Sequence, residues 1–319
     1  MQKSGDFAAA ASRAQLPPPA FTPGATRYGG QAPSPAGILS VVRISTDRCV
    51  ACANCVPVCP VGAIDIDPVL ERAVVDQDRC VECFTCYRGL STEHLNPTMV
   101  RTIRKVFGLF RMRFDPEPDV CPTAAIEPQD LSWPRIVRRA FSDPLVPHES
   151  TGIHGRGTEE VKTNDVTFRV GEGEAGFTIE FGRPTVATRF SDISRMTEAL
   201  AKTGVEFEKN NPVTHLMPNP STGKIREDIL QERVLSAIVE IKTRIERVPE
   251  MLRTVTGVAR GLDTIVAIGV STRCSPEGRS ALEEVLRREG YPFWRGKTNL
   301  GLGRRPSVPE RMPEAVSVS

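Results

Sequence analysis

The sequence predicts an α+β protein with two structured parts, a small cysteine-rich unit and a larger unit of mixed strands and helices. Three observations carry this. Eight of the nine cysteines fall between Cys49 and Cys121. The same stretch repeats itself, with Asp-Arg-Cys-Val at Asp47 and again at Asp78. Beyond residue 165, apolar residues alternate in some segments and recur at helical spacing in others.

Composition removes several function classes. The 319 residues carry a formal net charge of +2, so no global basic field argues for nucleic acid. Residues 1–37 are rich in Ala, Pro and Gly and poor in charge, which reads as a disordered tail. No signal-peptide pattern or twin arginine is visible, and no window approaches the roughly 18 apolar residues of a membrane span. The expected location is the cytoplasm, where thiols stay reduced and no transmembrane segment is needed.

The cysteine unit spans residues 38–128. Its first motif is Cys49-x2-Cys52-x2-Cys55-x3-Cys59-Pro60. The second is Cys80-x2-Cys83-x2-Cys86, followed after a gap by Cys121-Pro122. The context repeats too: "CPVGAI" at Cys59 matches "CPTAAI" at Cys121, and β-like runs ("ILSVVRIS", "RAVVD") precede both copies. Repeated units of this size must pack on each other to close a core. Disulfides lack an oxidising context. Zinc sites pair CxxC motifs, and a third cysteine at i+6 followed by Cys-Pro is not their spacing. Three cysteines spaced by three on a coiled backbone suit three corners of an iron–sulfur cubane, with the fourth ligand supplied from elsewhere.

On these motifs the unit resembles a bacterial-type ferredoxin domain with two [4Fe–4S] clusters. The resemblance implies that Cys49, Cys52, Cys55 and Cys121 hold one cluster, and that Cys80, Cys83, Cys86 and Cys59 hold the other. It implies electron transport, one electron at a time, with the clusters as relays. The chain departs from the family in the insertion 87–120, where three residues are usual. Cys121 is therefore expected as a ligand on its Cys-Pro and Ala-Ala-Ile context, with Cys274 the fallback.

Within the insertion, residues 99–114 combine Arg101, Arg104, Lys105, Arg111 and Arg113 with nine apolar residues and no acid. One reading is a docking surface for a redox partner or an acidic membrane. The simpler reading packs a helix on the chain's own second part, with the arginines in solvent.

Residues 129–165 contain several prolines and read as a linker, and 166–296 form the second domain. "VTFRV" and "GFTIEF" alternate as a strand hairpin. A helix over 192–203 starts at a Ser191 or Asp192 cap and stops at Gly204. "VEFE" is a short strand. Leu230, Val234, Ile238, Ile241 and Ile245 keep helical spacing, so 225–247 reads as an amphipathic helix. Another helix begins at Pro249. "TIVAIGV" reads as a buried central strand, and the helix after it ends at Gly290. The domain is α+β, with βαβ connections admitted at its end, and residues 297–319 form a flexible tail.

Candidate chemistry in this second domain is sparse. "HGRGTEEVKTND" places His154 and Glu159 beside flexible glycines, where a polar substrate could bind. His215 sits in a polar loop. Cys274 lies between a strand and a helix start, near Arg273, where a thiol's pKa falls. No GxGxxG followed by a ribose-binding acid, no GxxxxGK[ST] and no HExxH is found, so nicotinamide binding, P-loop hydrolysis and zincin chemistry gain no support. The leading expectation is an electron-transfer protein that serves a larger oxidoreductase as subunit or partner. The competing one is a reductase whose C-terminal domain binds substrate or a second cofactor, and a third is a structural iron–sulfur protein.

Overall fold

The computed structural model describes residues 41–88, 97–112, 120–143, 146 and 169–294. The segments 1–37 and 297–319, with His154 and Glu159, lie outside them. The described residues fall in one compact unit, in which the cysteine segment and the later elements pack together.

The cysteine segment holds strands β1 (Arg43–Ile44), β2 (Ile64–Asp67), β3 (Arg72–Val75) and β4 (Ile126–Glu127). β1 pairs antiparallel with β4, and β2 with β3. The sequence repeat reappears as a backbone repeat. Ile44 faces Ile126 in one pair, and Val75 faces Ile64 in the other. Ser45 N–H donates to Ala125 O and Asp76 N–H to Ala63 O, both at 2.8 Å. Val42, Ile64, Ala73, Phe84, Ala125 and Ile126 close a core between the two halves. The insertion forms helix α2 (Pro97–Leu109) after a short helix α1 (Thr85–Arg88).

The stretch read as a linker holds helix α3 (Ile136–Ser142), which buries Val137, Arg138 and Phe141. Beyond it run β5 (Glu174–Phe181), β6 (Thr188–Arg189), α4 (Phe190–Ala201), β7 (Glu206–Phe207) and α5 (Pro212–His215). Then come β8 (Arg233–Val234), β9 (Ala237–Arg244), α6 (Val248–Ala259), β10 (Val266–Thr272) and α7 (Ala281–Arg288). The main sheet has the order β10-β5-β9-β7 with every pair antiparallel. One sheet face presents Phe177, Ile179, Phe181, Val239 and Ile241 to Phe190, Ile193, Met196 and Leu200 of α4 and to Met251 and Val255 of α6. Burying each such side chain stabilises the fold by about 1.5–3 kcal/mol.

Several expectations change here. The helix expected over 225–247 is replaced by a 3₁₀ turn at Glu227–Ile229 and by strands β8 and β9. The apolar residues fit both periods, since Ala237, Val239 and Ile241 also alternate. Stiff β-branched side chains at Ile238, Val239, Ile241 and Thr243 fit a pleated sheet, and pairing on both edges decides the matter. "TIVAIGV" lies in β10, an edge strand that is half-buried, with Ile265 exposed. The antiparallel pairing leaves no βαβ unit among the described strands. Helix α4 starts at Phe190, earlier than expected, and its N-cap Arg189 makes no side-chain cap. Of "VTFRV", Arg169 and Val170 are described and neither is in a strand.

The other sheet face buries a carboxyl. Glu240 of β9 is 1% exposed, accepts from Asn211 Nδ2 at 3.1 Å and lies 3.5 Å from Arg169 Nη2. Burial outweighs these partners and pushes its pKa from 4.5 up to about 6. The folded chain thus holds this proton more tightly than the unfolded chain. Its stabilising share is full below pH 4.5 and is lost as pH rises through about 6, a fall of roughly 2 kcal/mol. Urea unfolding between pH 4.5 and 7 should show that slope, and Glu240→Gln should flatten it. An unchanged slope in the variant would contradict the assignment.

Candidate metal centre

Each cysteine motif wraps around its middle cysteine with backbone in the left-handed region. Ala51 (φ +53°) and Ala53 (φ +59°) flank Cys52, and Glu82 (φ +57°) and Phe84 (φ +62°) flank Cys83. Gly62 (φ +58°) and Ala124 (φ +52°) occupy matching places after Cys59 and Cys121. For residues with a Cβ this conformation costs about 1–2 kcal/mol each. Alternating left- and right-handed backbone turns successive N–H groups inward, as in a nest that receives an anionic group. The sequence does not advertise these positions, because only one of the six is glycine.

The eight cysteines divide into two sets. Cys49, Cys52, Cys55 and Cys121 line one hollow, closed by Ile44, Ala73, Val120 and Ile126. Cys59, Cys80, Cys83 and Cys86 line a second, closed by Val42, Val61, Ile64 and Phe84. The cysteine before each proline therefore stands in the hollow of the opposite motif. Among the described residues, no three Cys, His, Asp or Glu side chains converge on a point that would seat a single ion.

Backbone donors reach the sulfurs from the same places in both halves. Ala63 N–H donates to Cys59 Sγ at 3.2 Å and Ala125 N–H to Cys121 Sγ at 3.1 Å. Ala73 N–H donates to Cys49 Sγ at 3.4 Å, and Thr85 Oγ1 lies 3.3 Å from Cys83 Sγ. Burial pushes the Cys55 thiol up to about 11 and Cys80 up to about 12, and raises Cys83 and Cys86 as well. At Cys121 burial also raises the pKa. Bonds from the Thr123 hydroxyl and from the Ala125, Thr123 and Ile126 amides together outweigh it and hold this thiol below its ordinary value.

The second hollow is tied to the later part of the chain by arginines the sequence reading passed over. Arg135 donates to Glu82 Oε1 from Nε (3.0 Å) and Nη2 (2.8 Å), and to Gln77 O at 2.8 Å. Arg138 Nη1 donates to Cys80 O at 2.6 Å and pairs through Nε with Glu232. Arg88 bridges Cys83 O (3.0 Å) and Asp143 Oδ2 (2.8 Å), and Arg139 stacks 3.9 Å from the Phe84 ring centroid. The pattern Arg-x2-Arg-Arg at Arg135 was the available signal.

The remaining candidates do not join this centre. Cys274 is exposed in the loop after β10. The following helix starts at Ala281 with Ser280 as its cap, so the expected helix N-terminus is not at the thiol, and Arg273 Nε instead donates to Val170 O. His215 ends α5, exposed, with Nε2 2.6 Å from Lys209 O. Along α2 and its end, Val106, Leu109, Phe110 and Met112 are exposed while Ile103 and Phe107 are half-buried, so the apolar face is covered in part. No described helix is long and apolar enough to cross a membrane.

No curated protein and no solved structure matches the chain. Residues 41–89 match the family model of a 4Fe-4S dicluster domain, a span that contains seven of these eight cysteines and ends before Cys121. The match supports an iron–sulfur electron-transfer role for this part of the chain.

Proposed function

We propose that the chain holds two [4Fe–4S] clusters and relays single electrons as a subunit or partner of a larger oxidoreductase. One cluster is bound by Cys49, Cys52, Cys55 and Cys121, the other by Cys59, Cys80, Cys83 and Cys86. The observation that carries this reading is the pair of hollows, each ringed by four cysteines with Cys59 and Cys121 exchanged between motifs. A bound cluster would supply reversible one-electron chemistry. The chain's part is to deprotonate its thiols, to aim amides at their sulfurs, and to exclude water with Ile44, Val61, Ile64 and Phe84. Because the buried thiols resist ionising, cluster uptake releases protons and is favoured by rising pH. A reducing compartment keeps these thiols available, and the electron-exchange partner completes the proposal.

Anoxic purification followed by iron and sulfide analysis tests it. About eight irons and eight sulfides per chain are expected, as two four-iron clusters require. Cys121→Ser should keep about four of each, from the second site, while Cys274→Ser should keep all of them. Zinc without sulfide, or an unchanged content in Cys121→Ser, would contradict the proposal.

A further inference from the structure

The two hollows differ in what covers them. At the first, Cys52 is exposed with its neighbours Ala53 and Asn54, and Val50 is 60% exposed. Both linings come from the cysteine segment, residues 44–126 in the first and 42–86 in the second, so the difference lies in what packs outside them. The loop of the second is clasped from outside by later elements. Arg135 (6% exposed) and Arg138 (5%) grip the backbone and side chains of Gln77–Glu82. Arg189, from β6, donates to Asp78 Oδ2 at 2.6 Å. Val81 (1%) and Cys83 pack with Ala187, and Val61 and Leu235 join them. Ala187 belongs to a tight turn after β5, where Thr185 (φ +57°) and Ala187 (φ +64°) are left-handed. Leu235 is fixed in turn, its N–H donating to Ser142 Oγ of α3 at 2.9 Å.

Electron transfer needs close approach between donor and acceptor. No cysteine of the second hollow is exposed, whereas Cys52 of the first is, so an outside reagent comes closer to a group held in the first. We infer that the first site is the port through which the chain exchanges electrons with outside redox molecules, and that the C-terminal part of the chain seals the second site. The inference rests on the two-cluster reading. The second site then communicates with the outside through the first, or through elements of its own chain.

The test is the rate at which a reduced, cluster-loaded full-length chain gives one electron at a time to a charged metal complex too hydrophilic to penetrate. In each event the chain loses one electron and the complex gains it, with no bond or proton exchanged. Ferricyanide serves as the anionic oxidant and hexaamminecobalt(III) as the cationic one, followed by stopped-flow absorbance. Val50→Asp combined with Asn54→Asp adds negative charge at the first rim. Thr185→Asp adds it on the turn outside the second site, at an exposed left-handed position that aspartate tolerates.

At low ionic strength the double variant should slow ferricyanide about tenfold and speed the cobalt complex, with both effects fading in salt. Thr185→Asp should change neither rate. Opposite signs for the two oxidants distinguish a charged port from structural damage. If Thr185→Asp moves the rates as the rim variant does, or if the rim charges move neither, the inference is overturned while the cluster reading stands. If the wild-type chain shows no iron–sulfur absorbance to bleach, both fall.

Discussion

Cys59 stands apart from the three cysteines that precede it, and much of the rest follows from that placement. It lines the hollow of Cys80, Cys83 and Cys86, while Cys121 lines that of Cys49, Cys52 and Cys55. Each motif is thereby incomplete without the other. The same exchange is written in the backbone, where Ala63 and Ala125 donate to Cys59 and Cys121 and accept from Asp76 and Ser45.

This arrangement carries backbone strain. Five residues with side chains, Ala51, Ala53, Glu82, Phe84 and Ala124, hold left-handed backbone around the hollows. At about 1–2 kcal/mol each, their combined strain is comparable with the net stability of an ordinary domain, about 5–15 kcal/mol. Strain of this kind persists where the surroundings over-determine it, and it gathers at functional sites. On the proposed reading, ligation in the hollows offsets it, so metal binding and folding of this segment are coupled. The Glu82–Arg135 pair adds a further constraint. Glu82 is buried with Oε2 lacking a hydrogen bond, and removal of Arg135 would leave a buried charge uncompensated.

The cysteine spacing, the repeat and the strand runs before each motif were legible because ligand geometry demands specific residues at specific intervals. The division of the cysteines into two crossed sets came from family resemblance, and the hollows have that composition. Less was legible where one pattern serves two structures. In 225–247 the apolar residues suit a helix or a strand, and strand pairing chose. In "TIVAIGV" a continuous apolar run suggested two covered faces, yet β10 lies at the sheet edge. The clasp of Arg135, Arg138 and Arg139 looked like part of a proline-containing linker. Its partners lie more than fifty residues away, at Gln77, Cys80, Glu82 and Phe84, so no local pattern announces it.

The central claim is that Cys59 and Cys121 are exchanged between two clusters. Anomalous diffraction at the iron edge, from crystals grown without oxygen, measures it most directly. The account predicts two separate iron clusters, with Cys59 Sγ bonded to the one that Cys80, Cys83 and Cys86 hold, and Cys121 Sγ bonded to the other. Iron shared by Cys49, Cys52, Cys55 and Cys59 alone, or a single-ion peak at either hollow, would contradict it.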